Sequence, residues 1–199
     1  MTLHIHAVSG SSRRDSRCRA MIEVAAAAAR EAGATVSVMD LAEIALPLFR
    51  DGDDSQQADA AVQRVRQAAH EADGFLLATP EYHGGISSAM KNWFDHLHLE
   101  LAGKLAGLLA VASSGGGDMS VTATRNSMHW CHGFTLPFHV IGRTADFDAD
   151  GRVITAKVLD RLARIGHDVV RYTPVLRAAF ESARELGDSP AAGFAGYHQ

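Results

Sequence analysis

Three loops of this 199-residue chain hold the side chains whose types and spacing could do chemistry. They cover Ser9 to Ser16, Pro80 to Gly85 and Ser113 to Asp118, and each follows a short apolar run. The first is rich in hydroxyl groups and arginine, whereas the other two are rich in glycine. This combination suits a ligand with a phosphate at one end and a flat ring at the other.

The first loop has the sequence SGSSRRDS and precedes a helical run. Backbone N–H groups at a helix N-terminus favour an anion, and the hydroxyls of Ser11, Ser12 and Ser16 can add hydrogen bonds. Arg13 can donate a forked pair of hydrogen bonds to phosphate oxygens. Because neither a Gly-x-Gly-x-x-Gly nor a P-loop pattern is present, we predict a site for a terminal phosphomonoester. An ordinary turn with a serine N-cap and solvated arginines is the alternative.

The second loop places flat and titratable side chains beside glycine. Tyr82 and His83 can lie against a planar ring, and Gly84 allows close approach of the backbone, so we predict that Pro80 to Gly84 form a shelf for such a ring. Glu81 could also act as a general acid.

The third loop, SSGGGDM, offers backbone donors with almost no side-chain bulk. Ser113, Ser114, Gly115 and Gly116 therefore suit the polar edge of a flat heterocycle. A flexible turn is the alternative. Taken together, the three loops predict a binding site for a mononucleotide with a large flat ring.

An alternation of β-type and helical runs must position these loops. Five such units predict an α/β protein with one doubly wound, five-stranded parallel sheet and helices on both faces. Ligands bind such sheets at the carboxyl ends of the strands, where the three loops lie. The predicted strands cover 3–8, 35–41, 74–79, 105–114 and 135–142, and the predicted helices cover 15–32, 58–72, 120–131, 155–171 and 174–186, besides the one that follows the second loop.

Two further expectations concern the chain ends and the helix after the second loop. Residues 1–173 should form one domain, followed over 174–199 by a C-terminal helix and a mobile tail of small residues. The helix after the second loop has an apolar face, which belongs to the core or to an interface. That face comprises Ile86, Met90, Trp93, Phe94 and Leu97.

Composition narrows the class of protein. The net charge of −4 and the pI near 6.2 argue against a nucleic-acid partner, which needs clustered cations. Two cysteines cannot make a disulfide framework, so we expect a reducing cytoplasm. No run of about eighteen uncharged apolar residues and no visible signal segment occur, so we expect neither a membrane span nor export.

Four segments together carry a resemblance to a known family: GSSRRDS, LPLFRDGD, TPEYHGGISSAMKNWFDHL and ASSGGGDM. Over about Leu3 to Gly142 the chain resembles the NADPH-dependent FMN reductases, which have a flavodoxin-like fold and include quinone, azo-dye and chromate reductases. The loop leading to Lys91 and Asn92 is the most specific part. The resemblance implies bound FMN that takes hydride from NADPH or NADH and reduces a small acceptor, such as a quinone, azo compound, free flavin or metal oxyanion, by ping-pong kinetics.

The resemblance also implies roles for the predicted site residues. The FMN phosphate would be held by Ser11, Arg13 and Ser16, the isoalloxazine wrapped by Pro80 to Gly84, and its pyrimidine edge met by Ser113 to Gly116. No catalytic side chain is implied, because the hydride chemistry takes place at the flavin, whose reduced edge would contact the amides of the second loop. For Glu81 the family position favours structural hydrogen bonding over a role as general acid. Cys18 stands where the family commonly has asparagine, and a thiol donates hydrogen bonds poorly, so we expect weaker phosphate binding. A homodimer or homotetramer is also implied.

Several alternatives stay open from the sequence. The spacing of His129, Cys131 and His132 could supply metal ligands, although structural or surface roles are favoured and we predict no metal site. A flavodoxin-like electron carrier or a phosphate-ligand protein without flavin could share these loops. A preference for NADPH would need a cation near its 2′-phosphate, for which Arg14, Arg17 and Arg50 are candidates.

Overall fold

The computed structural model describes residues 2–113 and 115–198, so the predicted site residue Ser114 lies outside the described part. Strands and helices alternate along the chain, as predicted. The strands are β1 (His4–Ser9), β2 (Thr35–Asp40), β3 (Gly74–Pro80), β4 (Leu105–Ala112) and β5 (Phe134–Arg143). The helices are α1 (Arg17–Glu31), α2 (Ala60–Glu71), α3 (Ser88–Asp95), α4 (Asp118–Trp130) and α5 (Ala156–Arg184).

The strands form one parallel sheet in the order β2-β1-β3-β4-β5. This is the strand order of the flavodoxin-like doubly wound fold, and it confirms the predicted fold class. Strand β3, with the apolar sequence GFLLATP, is buried along its whole length because both sheet faces are covered. The loops after β1, β3 and β4 therefore meet at one edge, next to the point where strand order reverses.

Helices cover both faces of the sheet. One face packs against α1 and α5, and the other against α2, α3 and α4. Small residues let α1 and α5 approach closely: a Cβ at Gly166 would lie 2.3 Å from the carbonyl oxygen of Ala25. None of the helices in the described ranges is both long and apolar enough to cross a membrane.

The apolar face of α3 packs into the hydrophobic core. Met90, Trp93, Phe94 and Leu97 are buried, and the Trp93 and Phe94 rings meet edge to face with centroids 5.0 Å apart. The core interpretation of these four residues is confirmed. By contrast, Trp130 at the end of α4 is 82% exposed.

The predicted break between two C-terminal helices is wrong. A single helix, α5, runs through Pro174 without interruption. A proline inside a helix removes one backbone donor and costs roughly 3 kcal/mol. The buried side chains of Val169, Thr173 and Phe180, on both sides of the proline, pack this helix against the rest of the molecule and offset that cost.

The tail forms a 3₁₀ segment over Pro190–Tyr197 that packs back onto the domain. The Phe194 ring lies 5.6 Å from the Phe180 ring, and Nε2 of His198 lies 2.5 Å from Nδ1 of His132. These contacts fix the path of the small-residue stretch.

Candidate functional site

The loops after β1, β3 and β4 enclose a cavity of about 280 Å³. Eight of the thirteen predicted site residues line it: Ser11, Arg13, Ser16, Cys18, Pro80, Glu81, Tyr82 and Ser113. Four further residues, Arg17, Val111, Ala112 and Thr144, complete the lining. The hydroxyls of Ser11 and Ser16 and the two arginines come from the loop after β1 and the start of α1, whereas the tyrosine and the glutamate come from the loop after β3.

The hydroxyl-rich end is organised by the start of α1. Ser16 is the N-cap of this helix, and its Oγ accepts the N–H of Cys18 at 3.2 Å. The buried Ser11 accepts the N–H of Arg13 at 3.1 Å, which shapes the turn before the helix. Ser11 and Ser16 both line the cavity, so their O–H groups can donate to a ligand there, with the positive end of the α1 dipole behind them.

Arg17 also lines the cavity, although the sequence did not predict it as a residue of the first loop's phosphate site. Its Nη1 donates to Oγ1 of Thr144 at 3.2 Å, and its guanidinium carbon lies 5.2 Å from the centroid of the Phe147 ring. These two contacts fix the position of the Arg17 side chain, which lines the cavity together with Thr144. Thr144 follows β5, far from the first loop in the sequence, so only the folded chain shows the pairing.

Cys18 lines the cavity but keeps its thiol in the core. The residue is 1% exposed, and burial is the main cause that raises the pKa of its thiol to about 12. The group is therefore a neutral thiol at physiological pH and contributes no charge to an anion site. A buried, neutral thiol is consistent with the prediction that Cys18 is a poor hydrogen-bond donor to the phosphate.

The second loop is a tight turn. Tyr82 and Gly85 exchange two backbone hydrogen bonds of 3.0 Å, and the central residues His83 and Gly84 have positive φ angles of 51° and 74°. Both central residues are thus left-handed, as in a type I′ turn, which explains the glycine. Tyr82 lines the cavity and is 48% exposed, whereas His83 and Gly84 lie at the exposed tip and do not line it.

Glu81 joins the second loop to the third. Its N–H donates to the Val111 carbonyl at 2.8 Å, and its carboxylate accepts the N–H of Ser120 at 2.9 Å. Burial alone would raise the pKa of Glu81, but hydrogen bonds from the Gly117, Ser120 and Met119 amides outweigh that effect and lower it. A carboxylate held ionised in this way has no proton to donate, which agrees with the favoured structural role.

Glycine is required in the third loop by its contact with Glu81. Gly116 has φ of +88°, and a Cβ there would lie 2.6 Å from Oε1 of Glu81. Gly115 has open space around it. Neither glycine lines the cavity, so among the described residues of this loop Ser113 is the predicted site residue that does.

Ser87, which the sequence did not single out, couples the first loop to the second. Its Oγ donates a short hydrogen bond to the carbonyl of Gly10 and accepts the N–H of Met90 at 3.0 Å as the N-cap of α3. A Cβ at Gly10 would lie 2.6 Å from Cε of Met90, so this loop and helix touch directly. The signal in the sequence was the serine at the start of the apolar helical run.

Asn92 holds the LPLFRDGD segment. Its side-chain amide donates to the carbonyl of Pro47 at 3.0 Å and accepts the N–H of Phe49 at 2.8 Å. His96 bonds the same Pro47 carbonyl through Nε2 at 2.8 Å. The segments that carried the resemblance are thus joined in space.

The histidine groupings point in different directions. His129 contacts Thr135, His132 contacts His198, and the buried thiol of Cys131 faces the carbonyl of Leu97. Across residues 2–113 and 115–198, no three histidine, cysteine, aspartate or glutamate side chains are grouped so that they could hold a metal ion.

The cavity fits FMN by its donors. Arg13, Arg17 and the serines suit a phosphomonoester, and Tyr82 and the backbone of the second loop suit a ring. In the described lining, Glu81 is the carboxylate, and one of its oxygens accepts the N–H of Ser120.

Residues 3–146 match the profile of the family described as NADPH-dependent FMN reductase. The chain belongs to this family. It is 32% identical over 176 residues to the NADPH-dependent FMN reductase ArsH of Shigella flexneri, covering 84% of this chain and 68% of that one. It is 30% identical over 203 residues to the FMN-dependent NADH:quinone oxidoreductase of Kineococcus radiotolerans, covering 92% and 96% of the two chains.

A solved structure supports the fold. The crystal structure of an NADH:FMN oxidoreductase in its apo form superposes with a TM-score of 0.73 at 22% identity, covering 85% of this chain and 89% of that one. The family match confirms the predicted resemblance and the predicted class of enzyme. The reductase is an oxidoreductase with FMN as cofactor and NADPH or NADH as electron donor.

Proposed function

We propose that the reductase transfers electrons from NADPH or NADH through bound FMN to a small acceptor: a quinone, an azo compound, a free flavin or a metal oxyanion. The observation that carries this proposal is that one cavity is lined both by Arg13, Arg17 and the serines of the first loop and by the half-exposed Tyr82 of the second. When bound, FMN supplies the hydride chemistry, and the protein supplies binding and orientation. The names of the two relatives above support both the donor and a quinone acceptor.

The roles proposed for individual residues follow the layout of the cavity. Ser11, Arg13 and Ser16, joined by Arg17, bind the phosphate through charge-assisted hydrogen bonds. Pro80 to Gly84 support the ring, with Tyr82 against it and the tip of the turn in solvent. The third loop, Ser113 to Gly116, presents its backbone to the polar edge of the ring.

The open side of the cavity favours ping-pong kinetics. Since Tyr82 is 48% exposed, solvent reaches this end, and donor and acceptor would use the same approach in turn. Initial rates at several quinone concentrations should give parallel double-reciprocal lines against NADPH. Intersecting lines would contradict a shared approach.

The proposed assembly is a homodimer or homotetramer in the cytoplasm. With Trp93 and Phe94 buried, the surface that supports association is the groove of about 440 Å³ between α3 and α4, beside the exposed Trp130. The two buried free cysteines, Cys18 and Cys131, suit a reducing compartment.

The deciding experiment is a titration of the purified protein with FMN and with riboflavin, with NADPH oxidation measured in parallel. The Arg13→Ala variant should bind FMN about tenfold or more weakly, since a charged hydrogen bond is lost, and riboflavin unchanged. Arg14→Ala is the matched control, because Arg14 is the next residue but does not line the cavity. Absence of binding by FMN, FAD and riboflavin would overturn the proposal.

A further inference from the structure

A second polar cavity, of about 290 Å³, lies at the outer edge of the sheet between β5 and the first turns of α5. Three of its lining residues are cations at neutral pH: Arg143 at the end of β5, and Lys157 and Arg161 on α5. His139 and Asp146 are also in the lining. The cavity therefore concentrates positive charge on a chain whose net charge is −4.

The carboxylate in the described lining, Asp146, is already engaged. It accepts the N–H of Arg143 at 2.8 Å and a hydrogen bond from the Thr155 hydroxyl, and these bonds lower its pKa. With three cations against this single carboxylate, the described lining has an excess of two positive charges. This excess is available to a ligand.

The cations differ in how they are held. Arg161 is fixed, since its Nη2 donates to the carbonyl of His139 at 2.6 Å and its guanidinium lies 5.8 Å from the centroid of the Phe138 ring. Lys157 and Arg143 form no ion pair with any residue of the described ranges. The oriented guanidinium of Arg161, the ammonium group of Lys157 and the Arg143 guanidinium beside Asp146 make a set that suits a compact dianion.

A neighbouring groove continues along α5, and two of its arginines are paired with carboxylates. It shares Lys157 and Arg161 with the cavity, but its other arginines are neutralised. Arg164 pairs with Asp160 at 2.8 Å, and Arg171 pairs with Asp168 at 3.2 Å. The uncompensated charge is thus focused at the end of the groove nearest the proposed flavin site.

Two contacts place this cavity beside that site. Arg143 directly precedes Thr144, which lines the flavin cavity and bonds Arg17. His139 approaches Asp118, the first residue of α4 after the glycine loop, with Nε2 and Oδ1 3.2 Å apart. The end of β5 therefore separates the two cavities.

We propose that this cavity binds a phosphomonoester dianion, and that the 2′-phosphate of NADPH is its source in the working reductase. Arg143, Lys157 and Arg161 are the residues that would contact the phosphate. The identity of the source rests on the proposed function, whereas the anion site does not.

The test is calorimetric titration of the FMN-saturated protein, in which the flavin phosphate site is filled. The probes are adenosine 2′,5′-bisphosphate, adenosine 5′-monophosphate and inorganic phosphate. The bisphosphate should bind about tenfold more tightly than the monophosphate, and Lys157→Ala or Arg161→Ala should remove that difference. Arg164→Ala removes the same charge from the same helix outside the cavity and should leave the difference intact.

The three probes distinguish the 2′-phosphate of NADPH from free phosphate as the ligand, and the variants show whether the proposed residues bind it. If inorganic phosphate binds and depends on Lys157 while the two nucleotides bind alike, the anion site stands with free phosphate as its ligand. If no probe responds to Lys157→Ala or Arg161→Ala more than to Arg164→Ala, the proposal is overturned. Failure of FMN to bind would overturn the proposed function instead, and the phosphate titration would still decide the anion site.

Discussion

The carboxylate of Glu81 and the backbone amide of Ser120 lie 2.9 Å apart and join the end of β3 to the first turn of α4. One side chain of the ring-binding loop therefore sets the position of the loop that should meet the ring's other edge. A substitution that removes this hydrogen bond should lower the affinity for FMN, even though neither residue is needed for the hydride chemistry.

Replacing Glu81 with alanine should lower the free energy of unfolding by about 1 kcal/mol at neutral pH, a value kept small because the group is largely solvent-accessible. FMN affinity should fall roughly fivefold as the third loop loosens. Since the pKa of Glu81 is lowered in the folded state, its contribution is present above the unfolded value near 4.5 and is lost as pH falls through the folded value. The stability difference between the two proteins should therefore vanish at low pH in denaturant titrations.

The matched control is Glu31→Gln, an exposed carboxylate at the end of α1. It should change neither FMN affinity nor the pH profile. Equal behaviour of the two variants would show that the contact with Ser120 has no role.

Alanine substitutions at two glycines of the third loop test whether the tight contact with Glu81 matters or only the presence of glycine in the loop. Gly116→Ala should destabilise the fold by about 1 kcal/mol or more, because its φ is positive and the new Cβ would meet Glu81. Gly115→Ala adds the same atom into open space and should leave the melting temperature unchanged. Identical melting temperatures for both variants would contradict the tight contact.

Arg17 should matter to the phosphate and not to the ring. Arg17→Ala should weaken FMN binding about tenfold while riboflavin binding stays constant, because a cation beside the phosphate is removed. Arg19→Ala is the control on the same helix, since Arg19 pairs with Glu23 at 2.6 Å and does not line the cavity. Parallel losses for FMN and riboflavin would mean that Arg17 acts only on the fold.

The comparison of these two arginines shows what the sequence could and could not reveal. Arg13 lies within a loop whose position after a strand predicts a phosphate site, so pattern and location suffice. Arg17 is inside the helix, and its role depends on Thr144 and Phe147, which follow the last strand. Periodicity reports local structure, whereas a pairing across the sheet requires the strand order.

The same limit explains the errors in the elements. Pro174 predicts a helix end on local grounds, but burial of Thr173 and Phe180 carries α5 past it. The second loop has a local feature that the sequence did not show: a type I′ turn with positive φ at His83 and Gly84 and with His83 exposed at its tip.

His6 should make the fold sensitive to acid. It is 2% exposed, and burial, with lesser effects of His4 and Lys104, lowers its pKa to about 4. The unfolded state, with a pKa near 6.5, binds the proton first, so stability should fall as pH drops from about 6.5 to about 4, by about 3 kcal/mol at most.

The His6→Phe variant should show a flatter dependence of unfolding free energy on pH over that range. The exposed His167, replaced in the same way, serves as the control and should keep the slope of the parent protein. A slope for His6→Phe equal to that of the parent would contradict the assignment.

The two tryptophans occupy opposite environments, with Trp93 fully buried beside Phe75 and Phe94 and Trp130 82% exposed. They are therefore native optical reporters of different events. Emission from Trp93 should be shielded from iodide and shift to the red only when the core opens. Trp130 should be quenched by iodide in the free chain and protected when a surface closes over the α3/α4 groove, so one spectrum can follow unfolding and association separately.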